Sequence, residues 1–138
     1  MRAGAKPPVQ FDLVWSDGLR FDASIGNVHA TVDGASQAGP SPMQHAALGL
    51  AGCMAADVVD ILRKGRHAFT GLRVVFNGTR NETPPRRFLE VSLQFIINGA
   101  IPLDVAERAV LLSRERYCSV WHSFREDIVF STTVDVRP

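Results

Sequence analysis

The chain has 138 residues, of which 46% are apolar and 21% charged, and fifteen basic against fourteen acidic side chains leave a formal charge of +1. This length predicts a single domain over residues 1–138, large enough to bury roughly two-thirds of the surface its unfolded form exposes, while the near-neutral balance offers no global field to nucleic acid or an acidic membrane. The opening MRAGAKPPVQFDLVW lacks the apolar core and small-residue cleavage site of a secretory signal, so the expectation is a cytoplasmic protein with no membrane or nucleic-acid partner.

Residues 1–8 are polar, contain Pro7 and Pro8, and are expected to fray. Apolar residues then alternate as Val9, Phe11 and Leu13, and again as Leu19, Phe21 and Ala23 beyond Asp17-Gly18. Asp-Gly between two alternating runs is a strong hairpin signal. A third strand is expected around Asn27 to Val32, ended by Asp33-Gly34, and 35–40 reads as a loop.

Residues 41–66, SPMQHAALGLAGCMAADVVDILRKGR, read as one long helix. Ser41 can cap it, Pro42 suits the first helical position, and Gln44 completes an S-x-x-Q capping box. Arg63, Lys64 and Arg66 suit the negative pole at the other end, where Gly65 can take the left-handed conformation that stops a helix. From Ala46 to Ala56 the run is uncharged, so the first half is expected to be buried. Its many Ala and Gly residues allow another backbone close approach, possible for a second copy of the helix. The run is shorter and more interrupted by Gly than the roughly 20 apolar residues of a membrane span.

Period-two alternation returns at Leu72, Val74 and Phe76, and over Leu89, Val91, Leu93, Phe95 and Ile97, with Glu90, Ser92 and Gln94 on the other face. The NETPPRR connection between these strands makes an exposed basic turn. Pro102 opens a second helix whose stripe is Val105, Ala106, Ala109, Val110 and Leu112, with Glu107, Arg108, Arg114 and Glu115 facing away. The pattern breaks at Tyr117-Cys118-Ser119, restarts as a short helix to Phe124, and ends in a strand alternating at Ile128, Phe130, Thr132, Val134 and Val136. The order β-β-β-α-β-β-α-α-β is that of an α+β domain.

Two cysteines, Cys53 and Cys118, lie 65 residues apart without a CxxC spacing. In a reducing compartment they are free, redox-active or metal-binding rather than a permanent staple. Position alone leaves them open to a bland reading as small core residues. The four histidines lack the paired spacing of a zinc module. The sharper reading is a peroxidatic pair, one thiolate being oxidised to a sulfenic acid that the other thiol captures. A free thiol with a pKa of about 8.5 is only a few per cent ionised at neutral pH, and a mid-helix position gains nothing from the helix dipole, so a cation must come from elsewhere. Arg20 is the first candidate, ahead of Arg80, Arg86 and Arg87. His45, eight residues before Cys53 and roughly on the same side of the helix, is read as structural ahead of a role as neighbour to the thiol, and Asp57, four residues after Cys53, is expected to form a structural salt bridge.

The run SPMQHAALGLAGCMAADVVDILRKGR, the TPPRRF turn and AVLLSRERYCSV together resemble the OsmC/Ohr family (osmotically inducible protein C and organic hydroperoxide resistance protein), in its OsmC-like branch, from Val9 onward. The resemblance implies antiparallel sheets with a long central helix in an intertwined homodimer. It also implies reduction of organic hydroperoxides without flavin, haem or metal, with Cys53 peroxidatic and Cys118 resolving. The partners implied are the hydroperoxide substrate and a dithiol, often a lipoylated protein, that reduces the disulfide. In the Ohr branch an arginine before the first hairpin turn contacts the thiolate and a glutamate near the helix start holds it. Here Ser16 precedes Asp17-Gly18 and Met43-Gln44 stand at the helix start, which leaves Arg20 and Gln44 as the approximate counterparts. Rival readings are a thiol redox sensor that oxidises once and signals to a partner, and a small-ligand-binding dimer with inert thiols.

Overall fold

Three short antiparallel strands open the fold: β1 (Asp12–Asp17), β2 (Arg20–Ile25) and β3 (Val28–Asp33). The computed structural model describes residues 4–138, so Met1 to Ala3 of the stretch expected to fray lie outside the described residues. Both hairpin turns use a glycine with positive φ, Gly18 at 53° and Gly26 at 60°, a conformation that costs glycine no steric clash. The register pairs Trp15 with Phe21, Phe21 with Val32 and Leu13 with Ala23, which gathers the apolar residues on one face. Asp33 ends β3 and accepts the backbone N–H groups of Ala35, Gln37 and Ala38. The bonds from Ala38 and Ala35 hold its carboxyl below the usual carboxylate range, and together they fold the loop that leads into the long helix.

That helix, α1 (Pro42–Lys64), starts on the expected capping box. Ser41 Oγ accepts the Gln44 N–H at 3.2 Å, and Gln44 Oε1 accepts the Ser41 N–H at 2.9 Å. At the far end the expectation fails in one detail: Arg66, not Gly65, has positive φ, at 59°. A Cβ at Gly65 would stand 2.8 Å from the His67 ring, so a larger residue there would require that ring to shift.

Leu50, Met54, Val58 and Leu62 form the fully buried row of α1, a four-residue spacing that keeps them on one face. Each buried side chain of this kind contributes about 1.5–3 kcal/mol. The expectation that the whole first half is buried is corrected: only 22% of the most apolar window of α1 is buried, although by length and composition the helix could cross a membrane. Leu48 is exposed. One face meets the core of this chain and the rest of the apolar surface is left uncovered by it.

A second sheet follows, made of β4 (Gly71–Arg80), β5 (Phe88–Asn98) and β6 (Val129–Arg137), with β5 in the centre. Val91, Leu93, Phe95 and Ile97 alternate into the core as the sequence pattern requires. The expected antiparallel pairing holds for β5 with β4, while β5 pairs parallel with β6. The crossover between β5 and β6 is made by α2 (Leu103–Leu112), which packs along β6 and returns the chain to the starting end of the sheet, as a parallel pair demands. The segment expected to be a short helix before β6 is a single 3₁₀ turn, Trp121–Ser123. Arg114, expected to face away, is half-buried and lies over the Phe130 ring, 4.8 Å from its centroid. The chain divides into two compact units, Met1–Ala46 and Ala47–Pro138, and both cysteines belong to the second.

Candidate active site

Two segments of the second unit bring the thiols together. Cys53 lies beside the buried row of α1 and is half-buried. Cys118 follows a π-helical turn, Ser113–Tyr117, appended to α2, and is fully buried. In that turn the Cys118 N–H reaches back five residues to the Ser113 carbonyl at 2.7 Å. A π turn adds one residue to the helical repeat and so changes which side chain points inward.

The segments run against each other in three steps. Gly49, one turn before Cys53, faces Val120, whose Cγ1 lies 3.9 Å from where a Cβ on that glycine would stand. Cys53 and Cys118 lie near each other in the middle, close enough for Cys53 to raise the Cys118 thiol. One turn further on, Ser113 Oγ donates to Asp57 Oδ2 at 2.8 Å. The thiols therefore face each other with an ordered contact on either side, and both remain free rather than joined.

Their environments differ. Burial pushes the Cys118 thiol up to about 11, and the contact with Cys53 acts in the same direction. The Trp121 N–H, donated to Cys118 Sγ at 3.3 Å, favours the thiolate but does not outweigh desolvation. The Trp121 ring packs against Phe130, with ring centroids 4.2 Å apart and planes tilted by 39°.

The other candidates have partners of their own. Arg20 pairs with Asp22 at 3.4 Å. Gln44 is committed to the α1 cap, where its Oε1 also accepts Ser36 Oγ at 2.6 Å. Arg80 donates to the Arg86 carbonyl, and Arg87 to the Phe88 carbonyl while also pairing with Asp127 at 3.6 Å. His45 donates its Nε2 proton to the Thr31 carbonyl at 2.7 Å, a structural role. The salt bridge expected of Asp57 is replaced by the hydroxyl of Ser113. Sequence reading missed Ser113 and Trp121. Ser113 had a signal, for it is a polar residue seven positions after Ala106 on the inward stripe of α2.

An α+β fold of two three-stranded sheets, a long central helix and two unjoined thiols near each other defines the class: a two-cysteine α+β protein. Residues 33–133 match the family described as OsmC-like protein. Protein YhfA of Escherichia coli is 40% identical over 115 residues, which cover 81% of this chain and 86% of YhfA. Among solved structures, a hypothetical protein from Aquifex aeolicus superimposes with a TM-score of 0.88 at 23% identity, covering 96% of this chain and 98% of that one. An organic hydroperoxide resistance protein OsmC from Legionella pneumophila superimposes with a TM-score of 0.67 at 16% identity, covering 96% of this chain and all of that one, 100%. The chain belongs to the OsmC-like family.

Proposed function

We propose that the protein is a cysteine peroxidase that reduces organic hydroperoxides, with Cys53 as the attacking thiolate and Cys118 as the resolving thiol. The single observation that carries the reading is the asymmetry of two neighbouring thiols, one half-buried and one fully buried. The family includes proteins described as hydroperoxide resistance proteins, which supports the same choice.

In the proposed cycle the Cys53 thiolate attacks the distal peroxide oxygen. The O–O bond breaks, the alkoxide takes a proton and leaves as the alcohol, and the sulfur, oxidised by two electrons, becomes a sulfenic acid. Cys118 then attacks that sulfur. The S–S bond forms, the S–OH bond breaks, and hydroxide leaves as water with the Cys118 proton. A dithiol, of the kind a lipoylated protein carries, returns two electrons and two protons. A buried Cys118 held neutral does not compete for peroxide, because the thiolate is the nucleophile. An apolar surround favours alkyl hydroperoxides over hydrogen peroxide through burial of the hydrocarbon tail.

The proposal includes a homodimer. The groove of about 770 Å³ beside α1 is lined by Ala51, Gly52, Ala55, Ala56 and Val59 and faces solvent in the single chain, and Trp15 and Val28 on the small sheet are each 63% exposed. Apolar surface on this scale is the mark of an interface. A second copy of α1, with its small side chains, fits the groove.

The test is mass spectrometry of the reduced protein after one equivalent of cumene hydroperoxide. The expected product is two hydrogens lighter and yields a peptide pair joined through Cys53 and Cys118. A protein that consumes no peroxide, or that turns over equally fast with Cys53→Ser, would overturn the reading.

A further inference from the structure

Ser113 occupies an unusual position. It is fully buried on the inward stripe of α2, where the helical pattern calls for an apolar residue, and a buried hydroxyl is unfavourable unless it is hydrogen-bonded. It bonds twice, in two directions. Its Oγ donates to Asp57 Oδ2 at 2.8 Å, one turn past Cys53 on α1, and its carbonyl accepts the Cys118 N–H at 2.7 Å across the π turn. One residue thus links the helix that carries the first thiol to the amide of the second.

We propose that Ser113 is a positioning residue that sets the approach of Cys118 to Cys53, its hydroxyl fixed to α1 through Asp57 and its carbonyl fixing the π turn that delivers Cys118. This deepens the peroxidase reading and rests on the thiol pair of that reading. A single hydroxyl that ties both helices reduces the freedom the sulfurs lose when they join, which is the source of high effective concentration in an intramolecular reaction. Removing it leaves the Asp57 carboxylate without its buried donor, as well as the two segments untied.

The test is a redox titration that does not depend on peroxide chemistry. Wild type, Ser113→Ala, Asp57→Ala and Asp57→Asn are equilibrated with oxidised and reduced glutathione, and the Cys53–Cys118 disulfide is quantified by mass spectrometry. In the reaction the two protein thiols give two electrons and two protons to the glutathione disulfide, which leaves as two glutathione thiols. Ser113→Ala and Asp57→Ala are expected to lower the equilibrium constant by about tenfold, the size of one charge-assisted hydrogen bond. Asp57→Asn keeps an acceptor for the Ser113 hydroxyl and is expected to stay within about threefold of wild type.

A purely structural role would lower the urea midpoint of the reduced protein and leave the equilibrium constant where it was, which overturns the proposal. Should Ser113→Ala fail to fold, the contrast between Asp57→Ala and Asp57→Asn decides on the same criterion. A wild-type pair that oxidises with glutathione but consumes no peroxide sinks the peroxidase reading alone. An unaltered constant in the alanine variants sinks the positioning role alone, and a wild-type pair that never joins sinks both.

Discussion

Tyr117 and Cys118 have exchanged the positions that an unbroken helix would give them. Continuing α2 by seven residues places 117 in phase with buried Val110 and 118 in phase with exposed Leu111, yet Tyr117 is 55% exposed and Cys118 is fully buried. The extra residue of the π turn puts 118 in the inward phase that 117 would have had, and so turns the second sulfur toward α1. Such turns recur at functional sites.

Unequal thiol reactivity follows from this exchange. At pH 8 a thiol pushed up to about 11 is only about 0.1% ionised, and Cys118 is also out of reach of solvent. Iodoacetamide should therefore label Cys53 at least about ten times faster than Cys118, read by peptide mass spectrometry of a time course. Equal labelling would mean that the loop after the π turn opens readily.

Activity should separate the two cysteines. Cys53→Ser is expected to lose thiol-dependent consumption of cumene hydroperoxide altogether, while Cys118→Ser completes one turnover and retains a sulfenic acid that dimedone traps. Steady-state rates with a dithiol, together with the mass of the dimedone adduct, check both outcomes. Dimedone adduct on Cys118 in the wild type would reverse the assignment.

Alkaline pH should destabilise the reduced protein through Cys118. Its folded value is raised from 9.0 to about 11, so the unfolded chain releases the proton first and binds fewer protons over that window. Stability is complete below about pH 9 and declines as pH rises to about 11, by up to about 3 kcal/mol. Urea midpoints of the reduced protein at pH 8 and 10.5 measure the decline, and Cys118→Ala should lose this component. An equal decline in the variant would assign it to other groups.

Assembly can be tested on α1 itself. The native mass by sedimentation equilibrium should be twice the chain's 15.1 kDa. Ala56→Glu should release monomers, because the residue is exposed in the single chain and lines the groove, so a charge there is harmless to the monomer fold and unfavourable in a closed interface. A monomeric wild type would remove the homodimer from the reading.

Much of the fold was legible because its signals are local. Asp17-Gly18, the Ser41 to Gln44 capping box and the alternation over Val91 to Ile97 each depend on residues a few positions apart, and each formed as read. The misreadings share a cause. Arg66 rather than Gly65 takes the positive φ at the end of α1, and β6 runs parallel to β5 because α2 returns the chain to the same end of the sheet. Periodicity holds neither fact.

The two cysteines were visible in the sequence, and so was the family that their surroundings resemble. The order of elements, the limits of α1 and the apolar faces follow from short-range preferences for backbone conformation and burial, which a linear sequence records directly. The proximity of the thiols is of another kind. It depends on a π turn that shifts the phase of α2 by one residue and on a hydroxyl that meets a carboxylate 56 positions away, and such a meeting is decided only when the packed helices bring distant groups together.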